Sequence, residues 1–505
     1  MDIFSNIALG LGVALTPSNL AYCFLGVFLG TLIGVIPGIG AMTAIAMLFP
    51  LTFHLNPTSA LIMLAGIWYG TGYGGRTASI LLNIPGTPAN AVTCLDGYPM
   101  AQQGRGGVAL FMTTMASFAG GTFGIVILML FSPIIARYAL SLGAPEYFAL
   151  MVLGLVAAST ISDGSAIKGL AMVTLGLAFG TVGTDVYTGM RRFDLGYLQL
   201  YEGISLVALA MGLFGIAEVI SSIRSADANP VDRASTSLKS MKPTRDEVRR
   251  SWFPMLRGAG IGAFFGTLPG TGPAVASFMS YAVEKSVSNE PERFGKGAIE
   301  GIMAPEAADN SAEQTAFIPT LALGVPGSAS MALILGALMI QGIAPGPTLM
   351  TDQPQLFWGL IMSFWIGNIM LVILNVPLIG VWVRLLLMPY QWLFPSIIVF
   401  ICIGAFTVSN SSFDLWLVVL FGAIGYLARL LLFPVAPMLL GFVLGPLLEE
   451  NFRRAMLISR GNFMTFLERP VSGVLMMITA ALLLWGFWSA LRRRNGQRSI
   501  EAGLG

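Results

Sequence analysis

Long apolar blocks separated by short polar interruptions run from one end of this chain to the other. Residues Ile3 to Gly75 hold no Asp, Glu, Lys or Arg, and neither do Gly106 to Ala136 or Gln314 to Thr351. Each block exceeds the roughly 20 apolar residues that carry a helix across a bilayer. Runs such as FGIVILMLF and WLVVLFGAIGYL do not alternate apolar with polar, so they predict helices rather than the strands of a membrane barrel. Spans are predicted near 19–36, 106–131, 146–160, 164–183 and 201–222, then near 254–268, 355–383, 394–413, 415–433 and 471–491. The fold class is an all-α integral membrane protein.

The longest polar interruption, 222–251, carries seven Lys/Arg against four acids and divides the chain nearly in half. Short basic loops stay on the cytoplasmic side. The predicted organisation is a first membrane repeat over 1–221, a basic cytoplasmic linker over 222–251, a second membrane repeat over 252–491 and a polar basic tail over 492–505. The stretch 449–469, read as a loop, is also basic, and only Val471 to Leu491 separates it from that tail, so the two cannot both be cytoplasmic.

Between the first and second span of each half the pattern changes. The first half reads PGIGAMTAIAMLFPLTF, then GIWYGTGYGGRTASILLNIPGTPANAV; the second reads PGTGPAVASFMSYAVEK, then APEAADNSAEQTAFIPTLALGVPGSASMAL. G-x-x-P-G-x-G occupies Gly34–Gly40 and Gly266–Gly272, and a second Pro-Gly follows at Pro85-Gly86 and Pro326-Gly327. The paired prolines are 48 residues apart in one half and 57 in the other, as a duplicated unit with an insertion would give.

Proline removes a backbone donor and bars helix at the residue before it, while glycine permits the turn, so each Pro-Gly breaks its helix. At membrane depth such breaks survive only against protein or a water-filled cavity, and transporters build binding sites from them. The new helix N-terminus suits a carboxylate, and the exposed carbonyls before it suit a cation. The broken segments, 37–91 and 269–346, thus hold the candidate substrate or ion ligands: Pro37, Gly38, Gly40, Thr77, Asn83, Pro85, Gly86, Thr87 and Asn90 in the first, and Pro269, Gly270, Gly272, Asp309, Asn310, Pro326, Gly327, Ser328 and Ser330 in the second. The plainer alternative is kinking and packing, because membrane helices are rich in these residues and this chain has 60 Gly and 28 Pro. Four breaks paired between halves favour the site.

Other polar residues carry two readings each. Glu306, Asp309 and Glu313, in APEAADNSAEQT, either hold a coupling cation or cap and solvate a helix start. Arg76, the only charge between Asp2 and Asp96, either meets an anionic substrate or marks a loop end, the reading favoured here. His54, the single histidine, reads as a turn residue rather than a proton relay. Composition agrees with the pattern: 505 residues, 55% hydrophobic and 10% charged, with mean hydropathy +0.78, against about 25% charged in a soluble domain. A net charge of +2 argues against nucleic acid, and three unpaired cysteines predict neither disulfides nor a zinc site. The N-terminus lacks a signal-peptide pattern and is expected to be retained. No Walker motif, metal-ligand spacing or nucleophile–base pair is present, so no cofactor is expected beyond a coupling ion.

Three blocks carry a family likeness: GVIPGIGAMTAIAMLFPLTF; YGTGYGGRTASILLNIPGTPANAVTCLDGYPMAQQGRGGVAL; and GTLPGTGPAVASFMSY with FGKGAIEGIMAPEAADNSAEQTAFIPTLALGVPGSASMALILGALMIQGIAPGP. They resemble the TctA-type large membrane subunit of the tripartite tricarboxylate transporters. The resemblance implies about a dozen helices, no enzymatic activity, a small four-helix TctB-type membrane subunit and a periplasmic TctC-type substrate-binding protein as partners, and an inner-membrane location. It also implies uptake of citrate-like carboxylates driven by a Na⁺ or proton gradient. The expected arrangement places the carboxylate between two Pro-Gly tips, one from each half, with Na⁺ on backbone carbonyls and on Asn83, Thr87, Asp309 or Asn310. The halves are expected to be inverted repeats. An integral-membrane enzyme acting on a lipid-type substrate, or a channel, is the alternative.

Overall fold

The computed structural model describes residues 3–36, 39–161, 165–185, 187–222, 238–386 and 390–503. Pro37, Gly38 and most of the basic linker therefore lie outside the described residues. The first half runs α1 (Ile3–Ala14), α2 (Pro17–Val35), α3 (Ala41–Leu48), α4 (Pro57–Leu82), α5 (Ala91–Met100), α6 (Gly106–Ala139), α7 (Ala144–Ile161) and α8 (Ala166–Gly180). A short antiparallel hairpin, β1 (Gly183–Thr184) with β2 (Arg191–Arg192), leads to α9 (Leu206–Ala210) and α10 (Ala217–Ser222), joined by a π-helical turn. The second half runs α11 (Arg245–Thr267), α12 (Gly272–Val287), α13 (Glu300–Thr315), α14 (Phe317–Leu323), α15 (Ala329–Ile340), α16 (Leu349–Asp352), α17 (Pro354–Asn375), α18 (Ile379–Leu385), α19 (Tyr390–Ser409), α20 (Ser412–Leu430), α21 (Ala436–Ile458), α22 (Thr465–Glu468) and α23 (Pro470–Gly503).

Among the described residues, five helical stretches are long and apolar enough to cross a membrane: Pro17–Val35, Ala91–Ala139, Pro354–Asn375, Ser412–Leu430 and Pro470–Trp488. Their starts follow local chemistry. Proline occupies the first position of α2, α4 and α17, where its missing N–H is no loss. Asn56 caps α4 by accepting from Ser59 N at 2.9 Å, and Thr244 and Glu247 form a reciprocal capping box on α11.

One succession occurs twice: helix, Pro-Gly break, short helix, long helix, second break, short helix, long helix. In the first half this is α2, α3, α4, α5, α6; in the second it is α11, α12, α13–α14, α15, α17. The same seam closes both. Gly26, Gly30 and Gly34 of α2 lie on the Met63, Ile67 and Thr71 backbone of α4, and Gly258, Gly262 and Gly266 of α11 lie on Ala304, Ala308 and Ala312 of α13. A methyl group at any of these six glycines would overlap the facing backbone. Lipid gives apolar side chains little reason to leave it, so close backbone approach through small residues is what binds membrane helices together. α6 adds a third layer, with Gly120 and Gly124 against Ala307 and Ser311 of α13.

Several expectations need correction. The span at 355–383 is two helices, because Pro377 bars continuation past Asn375; α18 then packs back, with Trp382 Nε1 donating to Leu374 O at 2.9 Å. The basic stretch 449–469 is not all loop: α21 continues to Ile458, carrying its charges as pairs one turn apart, Glu449–Arg453 at 2.6 Å and Glu450–Arg454 at 3.3 Å. The tail is likewise helical in its backbone as far as Gly503.

Candidate functional site

Both long central helices end in the same way at their Pro-Gly breaks. α4 stops at Asn83, held in the left-handed region at φ 59°, and α14 stops at Gly324, at φ 68°. A left-handed residue terminates a helix by turning the chain away from its axis. Asn83 is thus an exposed cap, and Pro85, also exposed, follows it. Beyond the cap, Gly86 is buried so tightly on Gly75 of α4 that no side chain fits between them. Gly327 packs in the matching way on Ala316, a β-carbon on it falling 3.2 Å from the Ala316 methyl.

The two breaks of each half meet. Gly270 N donates to Gly327 O at 3.1 Å, and a β-carbon on Gly272 would lie 3.5 Å from Ser328 Cβ. Gly270 has φ +79° and presses on the Ala158 and Gly154 backbone of α7, while Pro269 packs by Gly154. In the first half, a β-carbon on Gly40 would lie 3.9 Å from Gly86 O. Ser328 caps α15, its Oγ accepting from Met331 N at 3.3 Å, and Ser330 is buried in the first turn.

A buried polar cluster joins α4, α5, α6 and α13. Arg76, about 1% exposed, lies in the interior of α4. Its guanidinium stands 3.7 Å from Glu306 Oε2, donates to Thr113 O at 3.1 Å, to Thr114 Oγ1 at 3.2 Å and to Ser117 Oγ, and lies over the Tyr73 ring at 4.1 Å. Glu306 accepts from Thr93 Oγ1 at 2.5 Å, from Ser117 Oγ at 3.1 Å and from Asn90 Nδ2 at 3.5 Å. The Thr87 hydroxyl donates to Asn90 Oδ1 at 2.8 Å, which ties the first-half break to the cluster. Asp309, Asn310 and Glu313 continue along α13 from Glu306, at the three- and four-residue steps that share a helix face. Asn310 donates back to Glu306 O at 3.0 Å. Glu313 faces Gly72 of α4, where a β-carbon would lie 3.1 Å from its Oε1. Thr77 is buried next to Arg76.

Two sequence readings fall here. Arg76 is not a loop end: it is fully buried and ion-paired. The acids of α13 do not cap or solvate a helix start, because residues 301–315 are buried throughout. Sequence reasoning passed over Arg76 and Glu306 as a pair, and with them Tyr73, Thr93 and Ser117. The usable signal was a lone Arg in one apolar block and three acids at helical spacing before another. His54 lies in an exposed turn. One cavity is lined by Thr160, Leu170 and Phe487, and another, of about 480 Å³, by Tyr147, Asn451 and Arg454.

The model of the tripartite tricarboxylate transporter TctA family matches residues 20–440, which include all four breaks and the whole polar cluster. The chain belongs to the TctA family. Family members are transporter subunits, and with the apolar helices above this makes the chain a multi-pass membrane protein. Two proteins of Agrobacterium vitis are similar over long stretches. One, named an uncharacterized 52.8 kDa protein in the TAR-I ttuC' 3' region, is 47% identical over 501 residues, 99% of each chain. The other, an uncharacterized protein in the TAR-II ttuC' 3' region, is 49% identical over 240 residues, 48% of this chain and 99% of its own. No solved structure matches this TctA-family chain.

Proposed function

We propose that the chain is the large membrane subunit of a secondary transporter that imports tricarboxylates or related organic acids across the cytoplasmic membrane. A Na⁺ or proton gradient drives the uptake, a periplasmic TctC-type protein delivers the substrate, and a small four-helix TctB-type subunit completes the membrane part. The observation that carries this reading beyond the family is the pair of breaks held together by Gly270 N–H and Gly327 O, beside the N-terminus of α15. Unpaired N–H groups at that terminus receive an anionic group. Asn83, Thr87, Gly40 and the neighbouring carbonyls form the corresponding polar end in the first half.

The duplicated succession of elements supports two repeats, and their pairing supports an exchange across halves: α3 packs on α15, and α5 packs on α12. We assign the repeats inverted topology, with the basic linker inside, and alternating access to movement of the paired broken segments against the other helices. The test is uptake of labelled citrate into membrane vesicles that contain both membrane subunits, with and without the binding protein and with an imposed Na⁺ or pH gradient. Gradient-driven accumulation that requires the binding protein is expected. Gradient-independent flux would make the chain a channel, and no flux with citrate or other organic acids would remove the transporter reading.

A further inference from the structure

Arg76 answers only one of the three carboxylates on the buried face of α13. Glu306 has the guanidinium, two hydroxyls and an amide around it. Asp309 and Glu313, 2% and 4% exposed, have no hydrogen-bond partner for Oδ2 and Oε2. As ions, these two acids would leave an uncompensated double negative charge inside the protein, where an unpaired ion is strongly disfavoured. Intramembrane carboxylates without partners mark ion or proton pathways.

The surroundings decide which ion. From α4, Arg76, Tyr69 and Tyr73 are the titratable groups that face the pair, and Glu306 is the remaining one on α13 itself. Of the charges on α11 and α12, Arg257 and Glu284 pair with each other at 2.7 Å, Arg250 pairs with Asp246 at 2.9 Å and Glu290 at 2.7 Å, and Glu247 pairs with Arg105, while Asp96 of α5 is held by the chain before α13. From α6 the side chains around Glu306 and Arg76 are hydroxyls, those of Thr114 and Ser117. Glu313 turns both carboxylate oxygens to Gly72, where a β-carbon would lie 3.1 Å from Oε1 and 3.4 Å from Oε2. A sodium ion gives up its water only to several oxygens at once, whereas a proton needs one carboxylate oxygen.

We infer that Asp309 and Glu313 form a proton-binding site on α13, and that this site carries the coupling proton of transport. One O–H bond forms when the site loads and breaks when it unloads, so no other reactant is needed. The arrangement also places the site between the breaks. Gly86 packs at Gly75, beside Arg76 and hence level with Glu306, and Gly327 packs at Ala316, ten residues further along α13–α14, roughly 15 Å at helical rise. Asp309 and Glu313 occupy the interval.

The coupling role rests on the transporter reading, so the experiment has two arms. Infrared difference spectroscopy of the chain in lipid nanodiscs, without substrate, reads protonated carboxyl groups directly. A protonated-carboxyl band at neutral pH is expected in the wild type and absent from the D309N/E313Q double variant; each single variant reads the same band if the double variant does not insert. A wild type without the band, or a band that survives both substitutions, overturns the site. In proteoliposomes holding the membrane subunits with the binding protein, a pH gradient should concentrate labelled citrate with the wild type, and that accumulation should be lost with D309N/E313Q. Undiminished pH-driven accumulation by the double variant overturns the coupling role. A wild type that moves no carboxylate under any gradient ends the transporter reading, while the infrared result still decides the proton site.

Discussion

Arg76 of α4 and Glu306 of α13 face each other 3.7 Å apart, each about 1% exposed, and bind the two halves of the chain at their centre. Removing one partner of such a pair leaves a buried ion alone, which costs about 3–5 kcal/mol, whereas replacing both with apolar residues of similar size is far milder. Arg76→Met should therefore lower the thermal unfolding midpoint of the detergent-solubilised protein sharply. Combining it with Glu306→Met should recover most of the loss. A double variant as unstable as the single one would show that the pair's hydroxyl partners, rather than its charges, hold the helices.

The contact between Gly270 and Gly327 makes a second prediction. Gly270 sits at φ +79° with the Ala158 backbone against its open side, so a leucine there is both strained and crowded. Gly270→Leu and Gly327→Leu should abolish citrate uptake while the chain still reaches the membrane, read by fractionation and uptake on the same vesicles. Normal uptake by both variants would remove the breaks from the site.

Asp96 of α5 is a structural anchor. Its Oδ1 accepts from Gly295 N, Gly297 N and Ala298 N at 2.9, 2.8 and 2.8 Å, and its Oδ2 accepts from the Tyr281 hydroxyl at 2.9 Å. Asp96→Ala orphans the three backbone donors, at about 1–3 kcal/mol for each one left buried. Tyr281→Phe removes one bond, worth about 1 kcal/mol. Amide hydrogen exchange over 295–298 should accelerate strongly in the first variant and slightly in the second.

The β1–β2 hairpin offers a pH test. Hydrogen bonds from the Thr188 hydroxyl and the Tyr187 amide, with the Arg453 guanidinium at 3.0 Å, hold the Asp185 carboxyl down to about 2. A lowered carboxyl stabilises the folded hairpin fully above its ordinary value of about 4 and loses that contribution as pH falls toward 2. Protease cleavage in the loop between the strands should stay slow from neutral pH down to about 4. Asp185→Asn should speed it at neutral pH; cleavage that rises already between neutral pH and about 5 would contradict the anchoring.

The parts of this protein that a local pattern specifies were legible in its sequence. Apolar length announced the helices, and Pro85, Pro269 and Pro326 announced the breaks, because a missing N–H acts on its own helix. Arg76 misled because its partner is 230 residues away and nothing in YGGRTAS points to it. α21 misled for the opposite reason: Glu449 with Arg453, and Glu450 with Arg454, neutralise each other along one helix, while a linear reading counts only basic residues in a loop. The glycine spacing at 26, 30, 34 and at 258, 262, 266 was available and went unread, although it fixes which helices lie together.

The distance along the chain between Arg76 and Glu306 also sets an order of assembly. A ribosome adding about 5–20 residues each second needs roughly 10–50 seconds to pass from one to the other. During that interval α4 is complete and its guanidinium has no acid to meet. The newborn first half offers Arg76 only the oxygens of α6, Thr113 O, Thr114 Oγ1 and Ser117 Oγ, and lacks the carboxylate that faces it in the finished fold. The central ion pair thereby closes only once α13 has been made.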